Sequence, residues 1–258
     1  MSDNVRRAVA ADVVDGRILL VRMKDESSRN GFTPALVDDL VTAFRRAVDE
    51  TELRCVVLTG YGNYFATGGT QEDLLAIQEG RAAFTSSAAT DQETNVYSLP
   101  LDCPVPVVAA MQGHAVGGGL ALGLAADFVV LAEEAVYTAS FMKYGFTPGF
   151  GSTAVFPERL GFALGYELLM SARSVRGREL RERGVPFPVV TRGEVLDRAL
   201  ALARELSDKP RLSLVTLKDH MVGALRARMP DTVRRELAMH DITFHTPEVR
   251  ERIVSRFG

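Results

Sequence analysis

Two glycine-rich turns are the parts of this 258-residue chain best suited to bind a ligand through the backbone. The first turn spans residues 64–70 (YFATGGT) and the second spans residues 113–119 (GHAVGGG), and each lies between a strand-like run and a helix-like run. Glycine lets the backbone approach a ligand closely, and the first N–H groups of a helix have no acceptor within it. Two such turns facing each other can hold one oxygen atom between two N–H groups.

Phosphate binding is the obvious alternative use of these turns. The second turn lacks the lysine of a P-loop, and neither turn lies in the first strand–helix unit, where a dinucleotide fingerprint would stand. Each turn alone is a weak signal, because many glycine turns serve structure only. As a pair at this spacing, they are considerably more specific.

The four histidines are the candidate proton donors. His240 and His245 both lie in the helical tail, but they are about 140° apart on an ideal helix, so we do not expect both to face one site. His245 precedes a predicted helix start, which favours a structural role. His220 fits packing or pairing at a helix end. His114 lies inside the second glycine turn and could line a substrate channel.

Composition indicates a globular enzyme without a metal or cofactor. Hydrophobic residues make up 47% and charged residues 24%, and the net charge of −3 gives no reason to expect nucleic acid. Cys55 and Cys103 lie in apolar runs, which predicts buried free thiols in a reducing compartment, and no cysteine or histidine cluster has ligand spacing. The N-terminus lacks an apolar signal core, and no run of about 18 apolar residues occurs. We therefore expect a cytoplasmic protein that does not enter a membrane.

Alternating strand and helix patterns position the two turns. Residues 9–14 and 18–23 are predicted to pair around the Asp15-Gly16 turn, and Thr33-Pro34 opens a helix. The further predicted elements are strands at 53–58, 105–111 and 128–131 and helices at 71–78 and 117–125. This order indicates a layered α/β unit with largely parallel strands.

From residue 194 onward the pattern is almost wholly helical, with breaks predicted at Pro210, Pro230 and Pro247. We therefore place a boundary between an α/β core, residues 1–192, and a helical region, residues 193–258. The apolar stripes of this region are expected to pack on another surface. We expect it to take part in oligomerisation and in closing the active site.

Two polar features of the sequence have open interpretations. Residues 85–94 (TSSAATDQET) are small and polar, which predicts a loop that could serve as a lid. Basic residues crowd the last quarter of the chain and form either a solvated helical face or a docking surface for an acidic partner. These are Arg204, Lys209, Arg211, Lys218, Arg226, Arg228, Arg234 and Arg235.

The turns and the segment after them resemble the crotonase (enoyl-CoA hydratase/isomerase) superfamily. The resemblance rests on FATGG, on GHAVGGGLALGLAADFVVL and on FMKYGFTPG, and it extends over essentially the whole chain. It implies a spiral of ββα units with a C-terminal helical extension, usually assembled as trimers. It also implies that the N–H groups of Gly69 and Gly118 form an oxyanion hole for a thioester enolate, where one donor is worth about 3 kcal/mol of activation free energy. The adjoining residues expected to contact the substrate are Ala66, Gly68, Gly117 and His114.

The chain departs from the hydratases of this superfamily at both catalytic glutamates. Those positions hold Ala121 and Phe141, so neither has a carboxylate to activate water. Glu133 and Glu134 follow a predicted strand and are expected to be surface residues. The sequence therefore argues against a simple hydratase.

Further segments, at 59–72, 184–187, 213–220 and 239–245, resemble the decarboxylating crotonase-like enzymes of polyketide β-branching cassettes. Members of that group act on a 3-methylglutaconyl-type thioester held by an acyl carrier protein. Loss of carbon dioxide leaves a dienolate, which needs an oxyanion hole and a proton donor but no activated water. The resemblance places His240 at the position of the group's functional histidine.

One further departure concerns the substrate carboxylate. Relatives in this group can carry a lysine where this chain has Ala83, and the nearest cation, Arg81, lies roughly 200° away on a helix. Either another group holds the carboxylate, such as Arg81 on a distorted segment, or the site relies on less charge. Desolvation also favours loss of carbon dioxide.

Two other functions remain compatible with the sequence. An enoyl-thioester isomerase or hydratase acting through His240 would keep the fold and the oxyanion hole. A non-catalytic thioester-binding homologue would explain why Ala121, Phe141 and Ala83 replace functional side chains.

Overall fold

The computed structural model describes residues 7–82 and 95–257. Ala83 and the predicted loop at 85–94 lie outside these ranges. The strands are β1 (Val9–Val14), β2 (Ile18–Met23), β3 (Cys55–Thr59), β4 (Tyr64–Ala66), β5 (Val107–Met111), β6 (His114–Val116), β7 (Phe128–Ala132), β8 (Val136–Thr138), β9 (Ser174–Arg176) and β10 (Val189–Val190).

The helices cover both sheets and form the tail. They are α1 (Pro34–Asp49), α2 (Gln71–Gln78), α3 (Leu99–Asp102), α4 (Gly118–Leu124), α5 (Ser152–Leu160), α6 (Phe162–Ser171), α7 (Gly177–Glu182), α8 (Val195–Ser207), α9 (Arg211–Thr243) and α10 (Pro247–Arg256). Short 3₁₀ helices span Ser140–Lys143 and Arg192–Glu194.

Strands occur in consecutive pairs that divide between two sheets. The larger sheet has the order β1-β2-β3-β5-β7-β10 and the smaller sheet the order β4-β6-β8-β9. In the pairs β3/β4, β5/β6 and β7/β8 the first strand joins the larger sheet and the second joins the smaller, and successive pairs lie parallel to one another. Helices α2 and α4 follow two of these pairs. The result is the spiral of ββα units that the resemblance implied.

The first hairpin follows directly from local sequence. β1 and β2 pair antiparallel with Val14 opposite Ile18, and the turn residues Asp15 and Gly16 both have positive φ, at 51° and 68°. The N–H of Arg17 donates to the carbonyl of Val14 at 3.3 Å, so Asp15 and Gly16 are the central residues of a β-turn whose positive φ angles match the twist of the strands. The predicted strands and their turn are confirmed.

The central strands of the larger sheet are apolar throughout because both faces are covered. Every residue of β3 and β5 is buried, and α8 packs on β2, β3, β5 and β7. Cys55 and Cys103 lie in this core as free thiols, as predicted. Burial raises the pKa of both thiols, that of Cys103 to about 11.

The prediction of a helix break at Pro230 is wrong. Helix α9 runs without interruption from Arg211 to Thr243, although Pro230 has no N–H to donate to the carbonyl of Arg226. Met229 and Val233, on either side of it, are buried against the body of the protein. That burial offsets the lost hydrogen bond. Pro247 lies at a helix start, the first residue of α10, as the pattern indicated.

Lys218 does not belong to a basic surface, in contrast to its place in the predicted cluster. Its side chain is buried, and Nζ donates to the carbonyls of Pro100 at 2.8 Å and Val105 at 3.0 Å. The same nitrogen lies 2.8 Å from Oδ2 of Asp127, which also accepts from the N–H of Val107. Lys218 therefore anchors α9 to the strand that carries the second glycine turn.

The other seven predicted basic residues are exposed or half-buried, so both interpretations of the basic face stay open for them. The boundary between an α/β core and a helical region at residue 192 stays a prediction. Helix α8 follows this boundary in the chain but packs on the larger sheet of the core. No helix within residues 7–82 and 95–257 combines the length and the apolar character needed to cross a bilayer.

We expect Lys218→Met to lower the free energy of unfolding by about 3 kcal/mol, because it leaves the Asp127 carboxylate and two buried carbonyls without their partner. Urea unfolding followed by circular dichroism measures the change. Lys209→Met removes an exposed lysine just before the same helix and is the control. Equal midpoints for both variants would contradict the anchoring role.

Candidate active site

A cavity of about 840 Å³ brings both glycine turns together with the tail helix. Gly69 from the first turn, Gly117 and Gly118 from the second, and His240 from α9 all line it. The cavity is large enough for an extended small molecule of the size that enzymes bind.

The two turns lie side by side because β4 and β6 are parallel neighbours in the smaller sheet. The contact between them is so close that side chains are excluded. A Cβ atom at Gly68 would lie 2.8 Å from the nitrogen of Gly118, and one at Gly119 would lie 2.2 Å from the carbonyl oxygen of Ala66. Only glycine at these two positions lets the backbones approach in this way.

The N–H groups predicted for the oxyanion hole are available to a ligand. Gly118 is the first residue of α4, and Gly69 precedes Thr70, the N-cap of α2. Among the residues that the structure describes, no acceptor binds the N–H of Gly69 or of Gly118. Both residues line the cavity. The arrangement can therefore hold an oxygen atom that gains negative charge.

His240 lies in the wall of the same cavity and is 5% exposed. Its Nε2 lies 2.9 Å from the carbonyl oxygen of Thr147, which can only accept, so Nε2 carries the proton. Burial lowers the pKa of His240, and the backbone carbonyls of Thr147 and Pro148 oppose that shift. The ring is therefore held neutral near physiological pH.

His114 also lines the cavity, as the sequence suggested. Its Nδ1 accepts from the N–H of Val136 at 2.9 Å, and its ring meets the edge of Tyr64. Burial lowers the pKa of His114, and the nearby Arg192 and Arg176 lower it further. Two remaining histidines are exposed on the tail, at positions 220 and 245, and neither lines the cavity.

Three other residues predicted to contact the substrate, Ala66, Gly68 and Arg81, do not line the cavity themselves. Ala66 and Gly68 form the close contact between the turns rather than the lining. Arg81 is exposed and pairs with Glu79 at 2.6 Å, while its neighbour Ala82 reaches the cavity. The role of Arg81 toward a substrate stays a prediction.

The two residues at the positions of the hydratase glutamates, Phe141 and Ala121, differ in whether they reach the cavity. Phe141 lines the cavity, so an aromatic ring stands where a hydratase would present a carboxylate. Ala121 is buried inside α4. Glu133 and Glu134 are half-buried outside the lining, where Glu133 pairs with Arg181. Neither position of the hydratase pair therefore presents a carboxylate to the cavity, and neither Glu133 nor Glu134 lines it.

The sequence reasoning missed Glu236. This residue is 1% exposed and lines the cavity one helical turn before His240. Asp73, in the first turn of α2, is the other carboxylate in the described lining and accepts from Thr70. The signal for Glu236 was its spacing of four residues from His240, which puts both side chains on one helical face.

The pKa of His240 is lower in the folded protein than in the unfolded chain, so the free energy of unfolding should depend on pH. In the unfolded chain a histidine titrates near pH 6.5, so below that value the unfolded state binds more protons than the folded state. The free energy of unfolding should therefore fall as pH decreases from about 6.5 toward the folded pKa, and His240→Gln should make this slope shallower. Urea unfolding across about pH 5 to 7.5 measures it.

His220→Gln removes a histidine from the same helix and is the matched control. An unchanged slope in His240→Gln would contradict the assigned neutral ring.

Comparisons with known proteins agree with this geometry. The model of the enoyl-CoA hydratase/isomerase family matches residues 14–257. The chain is 52% identical over 245 residues to the bacillaene synthase decarboxylase PksI of Bacillus subtilis (strain 168), which covers 95% of this chain and 96% of PksI. A solved structure from a dehydratase/decarboxylase enzyme couple involved in polyketide beta-branching superimposes with a TM-score of 0.92 at 52% identity, covering 97% of this chain and 99% of that one.

The ECH2 decarboxylase domain of CurF from Lyngbya majuscula superimposes with a TM-score of 0.91 at 42% identity and covers 97% of this chain and 100% of that one. These findings confirm the fold and the resemblance predicted from the motifs. The chain belongs to the enoyl-CoA hydratase/isomerase family.

Proposed function

We propose that this protein decarboxylates a 3-methylglutaconyl-type thioester carried by an acyl carrier protein, as a step of polyketide β-branching. The observation that carries the proposal is a cavity with two backbone N–H donors and a buried histidine, but an aromatic ring and an alanine at the positions of the hydratase glutamates. Relatives at 52% and 42% identity are decarboxylases, which supports the same chemistry.

The residues divide the reaction between them. The N–H groups of Gly69 and Gly118 donate hydrogen bonds to the thioester oxygen as it gains charge, so the electron pair of the breaking carbon–carbon bond is stabilised as a dienolate. Carbon dioxide leaves, and His240 either positions the dienolate or acts as its proton donor. As donor it first takes up a proton from solvent to become imidazolium, and it returns to the neutral ring when that proton passes to the dienolate. No step requires a metal or a cofactor.

The substrate carboxylate needs a polar surface before it leaves. Arg29 and Lys143 are the cations in the described cavity lining, and Lys143 is half-buried there. They supply positive charge from positions other than Ala83. Much of the remaining wall is apolar, with the rings of Phe141, Phe146 and Phe150. An apolar wall removes water from the substrate carboxylate, and this desolvation favours loss of carbon dioxide.

Isomerisation of an enoyl thioester is the second candidate, favoured by the same oxyanion donors and His240. It would move a proton without loss of carbon dioxide. The mass of the product separates the two reactions.

The cytoplasm is the proposed compartment, because both cysteines are free thiols.

Wild-type protein incubated with the carrier-bound thioester should release carbon dioxide, detected as the mass loss of the acyl group, and NMR of the product locates the double bond. Gly68→Ala should lower kcat roughly a hundredfold, because its Cβ displaces the N–H of Gly118 from the oxyanion position.

Gly193→Ala is the control, since a Cβ at that position meets no atom within 4 Å. No mass loss with wild-type protein would rule out the decarboxylase, and isotope exchange without mass loss would favour the isomerase.

We also propose that the protein assembles with copies of itself, as a trimer. Helix α6 carries an apolar stripe at a spacing of four residues, Phe162, Tyr166 and Met170, which are 72%, 52% and 55% exposed. An apolar face of this kind is typical of a surface covered by a partner. The stripe supports self-association, and the family resemblance supports the number of copies.

Replacing the centre of the stripe with a charge, in Tyr166→Glu, should shift the mass in solution from trimer toward monomer, because a charge would be buried without a partner. Light scattering coupled to size exclusion measures the mass. Val48→Glu changes an isolated exposed apolar residue on α1 and is the control. A monomeric wild-type protein, or a trimeric Tyr166→Glu, would contradict this interface.

A further inference from the structure

The C-terminal end of helix α9 is hydrogen-bonded through one face to residues 147–153, which lead into α5 and form its start. Glu236, His240 and Thr243 lie at spacings of four and three residues, which puts them on that face. His240 donates to the carbonyl of Thr147, and the hydroxyl of Thr243 lies 3.3 Å from the Thr147 nitrogen and 3.1 Å from its hydroxyl. Glu236 bonds the other end of the segment.

Glu236 uses both carboxylate oxygens on this segment. Oε2 accepts from the N–H of Gly151 at 2.7 Å, and Oε1 accepts from the N–H of Thr153 at 2.9 Å and from its hydroxyl at 2.7 Å. These N–H groups lie at the beginning of α5, where they have no acceptor within the helix. Gly151, the N-cap, has no side chain to supply one. The tail helix therefore caps α5 from outside.

The residue held just before this cap is Phe150, which has a left-handed backbone with φ of +64°. A bulky residue keeps that conformation only where its surroundings fix it. Its ring stacks on Phe32 with centroids 5.3 Å apart and meets the edge of Tyr97 at 6.0 Å. Two carbons of the same ring lie 3.2 and 3.3 Å from the position of a Cβ at Gly118. Phe150 thus packs directly on the oxyanion-hole glycine.

Burying a carboxylate costs desolvation free energy, and a serine or aspartate at the N-cap would satisfy the same N–H donors without a long-range contact. Burial raises the pKa of Glu236, although the hydrogen bonds from Thr153 and Gly151 oppose that shift. The carboxylate is in the cavity wall, on the same helical face as His240. Its position links the tail helix to the glycine turn that holds the substrate oxygen.

We infer that Glu236 is a positioning residue for the reaction: it fixes the turn at Gly151 and Thr153, which presses the Phe150 ring against Gly118. This inference rests on the proposed function. The Phe150 ring covers Gly118 beside the oxyanion hole, and the neighbouring Gly149 lies against the ring of His240. A change at Glu236 therefore reaches the oxyanion hole through the turn and the Phe150 ring.

The test compares Glu236→Gln, Phe150→Leu and the double variant. The glutamine has only one oxygen for the two halves of the turn, and its amide nitrogen opposes an N–H. Glu236→Gln should lower kcat between roughly tenfold and a hundredfold while KM stays within about threefold. If the effect passes through Phe150, the loss in the double variant is much smaller than the product of the single losses.

A second measurement does not depend on activity. The amide resonance of Gly118 in a ¹H–¹⁵N spectrum senses the Phe150 ring, so it should move in Glu236→Gln in the same direction as in Phe150→Leu. Arg226→Met is the matched control, because Arg226 also ties α9 to the body, through the carbonyl of Leu101 and away from the cavity. It should leave both kcat and the Gly118 resonance unchanged.

A Glu236→Gln protein with wild-type kcat and an unmoved Gly118 resonance would overturn the inference and leave Glu236 as a helix cap only. Additive losses in the double variant would overturn the route through Phe150. If Glu236→Gln does not fold, Thr153→Val removes one of the three donors and is judged by the same two measurements. A wild-type protein without decarboxylase activity would contradict the proposed function alone, and the Gly118 resonance would still test the inference.

Discussion

The structure depends on the backbone contact between two glycine turns from neighbouring strands of the smaller sheet. The Cα of Gly68 faces the nitrogen of Gly118, and Gly119 faces the carbonyl oxygen of Ala66, at separations that leave no room for a methyl group. This contact directs the N–H groups of Gly69 and Gly118 into one cavity. Each turn alone would be an ordinary helix start. Their proximity makes an anion site, because two donors converge where no protein acceptor lies among the described residues.

The tail helix α9 completes the site from the far end of the sequence. Lys218 anchors its first half to the carbonyls beside β5, and its second half presents Glu236 and His240 to the cavity. The helix continues through Pro230 because the side chains on both sides are buried against the body. One long helix therefore couples the packing of the core to the position of His240 in the cavity wall.

The chemistry follows from which polar groups reach the cavity. A hydratase must activate water, but Phe141 presents a ring where its carboxylate would stand and Ala121 is buried in α4. Loss of carbon dioxide needs only a place for the developing negative charge and a proton afterward. The described lining provides the first with backbone N–H groups, which carry no net charge and need no reorganisation. Burial favours the neutral form of His240, so the titratable groups that bring charge to the described lining are two cations, Arg29 and Lys143, and two carboxylates, Asp73 and Glu236.

The sequence by itself determined the local elements and the family. The hairpin at Asp15-Gly16, the strands of the core and the two glycine turns were all readable, because turn chemistry and apolar runs are local properties. Motif resemblance identified the oxyanion glycines and His240 as candidates. Only the tertiary structure decided that Lys218 is buried, that α9 is unbroken at Pro230 and that Glu236 joins the cavity wall. In each case a long-range contact outweighs the local pattern: burial overrides the preference of a lysine for water, and packing overrides the helix-breaking tendency of a proline. Contacts between residues about 85 positions apart, such as Glu236 with Gly151, leave no periodic trace in the sequence.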